Sequence, residues 1–358
     1  MTDARTAALA AAHAPSVADI DALAHAAFTQ LPAINCPPFI VDGLFRNLFV
    51  DVTGNTHRAE FCIDKLYPPE GRGLRLGLLE LRAFEMAPHV RMGLIEMLLI
   101  RALVCMFWRR PFEGGLVRWG TALHDRFMLP HFVKRDFVDV LGQLRRTGFD
   151  FEDNWFASQF EFRFPKIGSI AVEGIELELR QALEPWNVLA EETNGGGTVR
   201  TVDSSLERIQ VRVSGMSPDS HYVIACNGRR LPLYFTGKAG EAIAGVRFRA
   251  RRLSASLHPT IPVHTPLVFD IIDRFTQRSI GRCTYHVLPP DGRLYKARPA
   301  NAAEAETRRA ERFQQLTPPN EPLSAPEEET NPTFPMTLDL RMPAPGRNAR
   351  IEPAGIGE

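Results

Sequence analysis

The sequence predicts an α+β fold: a mixed or antiparallel sheet with packed helices, followed by a β-sandwich-like domain and a disordered proline-rich tail. Three observations carry this reading. Short apolar runs at residues 44–52, 59–66 and 76–84 precede a long stretch with helical spacing at 90–108. After Asn194-Gly195-Gly196-Gly197 the composition turns to closely spaced strand-like runs. From Leu316 onward, 9 of the 28 prolines fall within 43 residues that hold few aromatics.

Taken in order, Ser16 with Asp19 three residues on, ahead of Ile20, Leu23 and Ala24, predicts a capped helix over 16–30. Pro32, Pro37 and Pro38 then break the chain. Thr53-Gly54-Asn55 is a turn signal between the first two strand-like runs. Past Pro88, apolar residues recur three and four apart (Met92, Ile95, Leu98, Leu99, Ala102, Leu103, Met106), the spacing of one helix face. A second helix is predicted over 136–146, stopped by Gly148, and strands over 161–164 and 175–179. The Asn-Gly-Gly-Gly stretch reads as a linker. Beyond it, strands are predicted at 208–213, 222–225, 231–235, 246–250, 267–272 and 283–287, with Asn227-Gly228 as a hairpin turn. A polar helix at 302–315 precedes the tail. The expected domains are 1–37 (helical), 38–193 (α+β), 198–313 (β-rich) and 316–358 (disordered).

Composition narrows the function. The 358 residues balance 42 Lys and Arg against 42 Asp and Glu, which argues against a nucleic-acid binder held by bulk positive charge. Only Lys65, Lys134, Lys166, Lys238 and Lys296 are lysines, so arginine supplies nearly all the positive charge. Arginine is the better fork for carboxylate or phosphate, although a GC-rich genome gives the same bias. Five cysteines without a C-x-x-C pair exclude a zinc ribbon and a secreted disulfide framework. The 90–108 run carries Arg91, Glu96 and Arg101, too charged to span a bilayer, and reads as a buried helix. No secretory leader pattern opens the chain, so a cytoplasmic protein without a membrane partner is expected.

The chemistry points to a recurring Glu-x-Arg: Glu80-Leu81-Arg82, Glu161-Phe162-Arg163 and Glu178-Leu179-Arg180. On a strand these residues share a face and set a carboxylate beside a guanidinium. The pair suits Mg²⁺ and phosphate; equally, it suits a structural ion pair on a half-exposed sheet. Arg58, Glu60 and Asp64 share one face of the preceding run. If that run pairs with the next, Glu60, Asp64, Glu80 and Glu85 converge with Arg58 and Arg82, and a metal is the economical way to hold so many carboxylates. His57 and His89 flank the cluster as bases or as structural hydrogen-bonding residues. His124-Asp125 is a weak candidate for an oriented base, because neighbours in a helix do not face each other. Cys226 followed by His258 or His264 and Asp270 or Asp273 has the order of a thiol acyltransferase triad. His258, His264 and His286 match no named metal spacing.

The block Val50-Asp51-Val52-Thr53-Gly54-Asn55-Thr56-His57-Arg58-Ala59-Glu60-Phe61-Cys62-Ile63-Asp64-Lys65, running into Gly77-Leu78-Leu79-Glu80-Leu81-Arg82-Ala83-Phe84-Glu85-Met86, resembles the amidoligase domain in the C-terminal region of large bacterial transglutaminase-like proteins. Trp119-Gly120-Thr121-Ala122-Leu123-His124-Asp125-Arg126-Phe127, the segment from Leu177 to Trp186, and His258-Pro259-Thr260-Ile261-Pro262-Val263-His264 look like further blocks of it. The resemblance covers about residues 38–313. That family is similar, more distantly, to the glutamine-synthetase-like carboxylate–amine ligases. The resemblance implies an ATP- and Mg²⁺-dependent amide ligase acting on a peptide or a small amine and carboxylate. By resemblance Glu80 would ligate Mg²⁺ and Arg82 would contact the transferred phosphate. Joined to the reading of the strand faces and Glu-x-Arg motifs, the expected site has Glu60, Asp64, Glu80 and Glu85 as metal ligands, Arg82, Arg163 and Arg180 on the cofactor, and His57, Arg58 and Arg82 as catalytic residues. The resemblance also implies an upstream ligase or transglutaminase-like chain as partner, with this chain as a C-terminal half. The competing expectation is a non-catalytic interaction module that docks such a partner.

Overall fold

The computed structural model describes residues 37–45, 61–63, 65–66, 76–112, 117, 119–194, 197–253 and 256–344. Its contacts divide the chain into two units, Met1–Leu123 with Val138–Ser158, and His124–Phe137 with Gln159–Glu358. The first helix expected, over 16–30, lies outside the described residues.

In the first unit, helix α1 spans Pro38–Phe45, so the run predicted as a strand from Leu44 opens inside a helix; its remainder lies outside the described residues. Strands β1 (Phe61–Cys62) and β2 (Glu80–Leu81) pair antiparallel, with Phe61 opposite Leu81 and Cys62 opposite Glu80. This is the pairing the sequence suggested, reduced to two residues a side. Helix α2 spans Val90–Arg109, and His89 caps it by accepting the Arg91 N–H on Nδ1 at 3.2 Å. Met92, Leu99, Ala102 and Met106 are buried along one face, but Leu94 and Trp108 are exposed, so the helix is not wholly buried as expected. No described helix is long and apolar enough to cross a membrane. Helix α3, Ala122–Arg126, and helix α4, Pro130–Arg146, each belong in part to both units, and α4 is longer at its start than its apolar spacing suggested. Gly148 follows α4 with φ +90°, a left-handed stop that glycine takes without strain.

The second unit is a β-sandwich. Sequence alternation builds it: Ile175, Leu177 and Leu179 of β4 (Ile175–Gln181) and Ile209, Val211 and Val213 of β7 (Leu206–Ser214) face a common core. Glu178, Arg180, Gln210 and Arg212 take the alternate positions and hence the opposite face. The first sheet adds β3 (Lys166–Val172), β10 (Tyr234–Phe235) and β11 (Glu241–Arg249) in the order β10-β11-β7-β4-β3. The second sheet packs against it with β8 (Tyr222–Cys226), β9 (Arg229–Arg230), β12 (Leu267–Asp273), β13 (Arg278–Tyr285) and β14 (Phe313–Leu316), in the order β14-β13-β12-β8-β9. Asn227 and Gly228, with φ of 49° and 73°, make the tight hairpin turn between β8 and β9. Gly168 permits the close approach of β14: a Cβ there would meet the Phe313 ring at 2.3 Å.

Four expectations are corrected. Residues 161–164 are not a strand: Ala157–Arg163 is helix α5, where Phe160 and Phe164 stand one turn apart and the Phe164 N–H bonds to the Phe160 carbonyl. Asn194 to Gly197 is not a linker: it closes a hairpin between β5 (Asn187–Asn194) and β6 (Gly197–Asp203). Strand β4, predicted over 175–179 in the first domain, pairs into one sheet with β7 and β11, joined by β3, for which no strand was predicted. The polar helix expected to reach residue 315 stops early, as α6 (Ala302–Ala310).

The proline-rich segment is placed through Ala344. Strand β15 (Thr337–Asp339) runs parallel to β11, pairing Gly245, Val246 and Arg247 with Thr337, Leu338 and Asp339. Arg229 pairs with Glu329 and donates to the Met342 carbonyl at 2.8 Å. The prolines forbid long strands, yet pairing to a preformed edge needs only three residues.

Candidate functional site

Strand β2 positions Glu80 and holds it in a charged cluster of its own unit. Arg82 donates Nε–H to Glu80 Oε1 at 2.8 Å and Nη2–H to Oε2 at 3.1 Å, a bidentate fork, and Lys65 Nζ lies 3.4 Å from Oε2. The Arg82 hydrogen bonds, outweighing partial desolvation, bring the Glu80 carboxyl down from 4.5 to about 2. Glu80 is thus an ionised carboxylate on an accessible surface, flanked by one forked and one flexible cation. Glu85 is exposed beyond β2. His57, Arg58, Glu60 and Asp64 lie outside the described residues. Among the described residues no three His, Cys, Asp or Glu side chains group to hold a metal ion.

The other two Glu-x-Arg motifs meet in the second unit. Arg180 Nη1 donates to Glu161 Oε2 and to the Phe164 carbonyl, both at 2.6 Å, so the helix and the strand motif share one arginine. Burial pushes the Glu161 carboxyl up, but the bonds from Arg180 and the Lys166 N–H outweigh it and hold the group below its ordinary value. Glu178 stands among three cations from three adjacent strands: Arg212 at 3.1 Å, Lys166 at 3.4 Å and Arg180 at 3.5 Å. Lys166 and Arg212 are about a third exposed, at 34% and 35%, while Glu178 is buried beneath them. Arg163 closes α5. The Lys166 and Arg212 partners were not found from sequence, since cross-strand register sets them; only the Val-Arg-Val alternation around Arg212 hinted at an outward charge.

A third group is buried. Glu184 accepts from Arg208 Nε at 3.0 Å and from Arg247 Nε at 2.6 Å, with side-chain exposures of 3%, 1% and 16% for the three. Arg208 also donates to the His124 carbonyl at 2.8 Å and to Thr337 Oγ1 at 3.2 Å. Thr337 in turn donates to Asp125 Oδ1 at 2.6 Å, and Asp125 Oδ2 accepts the Met336 N–H at 2.9 Å. Burial raises the Asp125 carboxyl above its ordinary value, against these hydrogen bonds. Arg247 reaches Asp339 at 3.7 Å, and Asp339 binds Arg341. His124-Asp125 is therefore no base pair: the aspartate anchors β15, and burial lowers the His124 ring below its usual value.

The thiol triad does not form. Cys226 lies wholly inside the sandwich core beside Cys283, and burial pushes its thiol well above the usual range. His264 accepts the Arg249 N–H on Nδ1 at 3.0 Å, and the His258 carbonyl accepts from Arg249 Nη1 at 2.8 Å. Both histidines thus belong to a loop wrapped around a buried arginine.

No curated protein and no solved structure gives a significant match to the chain. A family model described as Putative amidoligase enzyme (DUF2126) matches residues 16–341. That span takes in the Glu80–Arg82 cluster, the Glu178 cluster, the whole sandwich and β15. The chain therefore belongs to this amidoligase family.

Proposed function

We propose that the chain is an ATP- and Mg²⁺-dependent carboxylate–amine ligase domain and that Glu80 and Arg82 lie in its phosphate-handling centre. One observation carries the reading: an ionised, accessible carboxylate held in the fork of an arginine. Mg²⁺ in nucleotide sites keeps several waters and takes only one or two protein carboxylates, the rest of its shell being phosphate oxygen. A lone Glu80 fits that demand, where a cage of three carboxylates would not be required. Glu80 would hold the ion and Arg82 would turn its fork to a phosphate. Lys65, half-exposed beside Glu80, replaces part of the charge that Arg82 withdraws. Mg·ATP would convert the acid substrate to an acyl phosphate, from which an amine displaces phosphate. The protein's share is electrostatic: fixed cations around developing negative charge, placed before the reaction begins. The Lys166, Arg180 and Arg212 group is proposed as a second anion-binding surface in its own unit.

Titration calorimetry tests this. The full chain is expected to bind Mg·ATP, with Arg82→Ala weakening it about tenfold or more, the strength of one charge-assisted hydrogen bond. Glu80→Ala is expected to abolish the difference between Mg·ATP and ATP alone. Equal affinity in all three chains, or no binding by the unaltered one, removes the assignment.

A further inference from the structure

Helices α2 and α4 each end on a pair of arginines, Arg109-Arg110 and Arg145-Arg146, and the two members of each pair are used differently. The Arg109 guanidinium stands 6.0 Å from the centre of the Phe149 ring. Arg145 donates Nη1–H to the Phe151 carbonyl and to Asp153 Oδ1, both at 2.8 Å. These two already set positive charge at the negative ends of the helix dipoles. Arg110 and Arg146 are exposed, and among the described residues neither guanidinium has a hydrogen-bond or ion-pair partner.

Both spare arginines line one cleft of about 320 Å³ in the first unit, bounded by the end of α2, the stretch 110–112 and the last turn of α4. No Asp or Glu lines it. Its remaining walls are mainly apolar. Met106 is buried, while Phe107 and Phe112 meet edge to face, their centroids 6.4 Å apart and their planes at 86°. Phe112 is 66% exposed, so much of its ring is open to a partner. The Gln143 amide adds one neutral polar group.

A cleft lined by charge of one sign, with apolar walls, concentrates ions of the opposite sign. Guanidinium forks take carboxylate or phosphate oxygens two at a time, and aromatic side chains offer faces and edges to a flat ring. The volume lies at the small end of the range for ligand sites, with room for a ring and its acid group rather than for a length of chain. A cation is excluded by the two guanidiniums, and a neutral ligand would leave both unanswered. We propose that this cleft binds a small aromatic acid, its ring against Phe107 and Phe112 and its phosphate or carboxylate group between Arg110 and Arg146. The site shares no residue with the Glu80–Arg82 fork, and it contains no carboxylate to hold a metal ion.

The test titrates the full chain with phenyl phosphate and with phenylacetate, followed by ligand-observed NMR. Inorganic phosphate and benzyl alcohol serve as probes that each carry half of the chemistry. At least one aromatic acid is expected to bind tenfold or more tightly than both half-probes, and the preferred one identifies the acid group. Arg110→Ala and Arg146→Ala should each weaken it about tenfold, the strength of one charge-assisted hydrogen bond. Arg146→Lys, which keeps the charge and loses the fork, should fall between, and Phe112→Ala should weaken it several-fold. All three side chains are exposed, so the melting midpoint should hardly move in these variants. Arg82→Ala should bind like the unaltered chain. Aromatic acids no tighter than the half-probes, unchanged affinity in both arginine-to-alanine variants of the cleft, or a loss in Arg82→Ala instead would overturn the proposal.

Discussion

Replacing Glu184 with alanine is expected to be among the most damaging single changes to the second unit. The Glu184 carboxylate bonds two guanidinium groups at once, Arg208 at 3.0 Å and Arg247 at 2.6 Å, and Arg208 is 1% exposed. Without it, the side-chain hydrogen bonds left to Arg208 among the described residues go to the His124 carbonyl and Thr337 Oγ1, neither of them charged. Arg247 keeps Asp339, which is 3.7 Å away and already shared with Arg341. Breaking a buried ion pair from one side costs about 3–5 kcal/mol, because the orphaned charge cannot return to water without opening the fold. In a unit of this size each kcal/mol lowers the melting midpoint by about 2–4 °C, so a drop of about 6–20 °C is expected. Glu184→Gln keeps the shape and removes the charge, and should lose nearly as much. Thermal unfolding followed by far-ultraviolet circular dichroism, with urea midpoints as a second measure, gives both numbers. A loss under about 1 kcal/mol in the alanine variant, the range of an exposed pair, would refute the buried-pair reasoning.

Two further predictions concern titration and access. The Glu80 carboxyl sits at about 2 against an ordinary 4.5, so its contribution to stability is complete above pH 4.5 and is lost as pH falls through 2. In Arg82→Ala its midpoint should rise toward 4.5, read from the carboxyl carbon by NMR; an unchanged midpoint would show that Arg82 is not the cause. Cys226 and Cys283 are buried with raised thiols, Cys283 to about 12, so neither should react with a thiol reagent until the chain unfolds. Rapid labelling of Cys226 in the native state would reopen the thiol-nucleophile reading.

What the sequence revealed and what it hid follow from how local each feature is. The 90–108 helix, the Asn227-Gly228 hairpin and the alternating runs of β4, β7 and β12 depend on neighbours within a turn or two, and they are legible. Residues 161–164 mislead because Glu-Phe-Arg-Phe alternates like a strand; only Phe160, one turn before Phe164, betrays the helix. The Asn-Gly-Gly-Gly stretch carries the same signal whether it separates domains or turns a hairpin. Strand β15 is invisible locally, since three residues among prolines acquire order only from the edge of β11. Of the candidate site, the Glu80–Arg82 fork was readable from i, i+2 spacing, whereas the cations around Glu178 arise from register between strands. The partners of Arg208 at His124, Glu184 and Thr337 span more than two hundred residues of sequence, beyond any local pattern.

The three charged groups differ chiefly in hydration, and hydration decides what each can do. An ion pair can serve a ligand only if one member leaves its partner at little cost. In the Glu184–Arg208–Arg247 group that exchange would strand a buried charge at several kcal/mol, so the group is fixed and its work is to lock β15 against the sheet. Around Glu80 the carboxylate itself is 36% exposed and Lys65 52%, with Arg82 at 20%, so parting the groups leaves the carboxylate in contact with water. A multiply charged phosphate outcompetes a single carboxylate for such a guanidinium, and the carboxylate it releases remains ionised and ready for a cation. A carboxylate held by arginine therefore supports two physical roles. Burial of the carboxylate separates them, which is why ligand exchange is proposed at the fork on β2 and, in the second unit, at the outer cations Lys166 and Arg212.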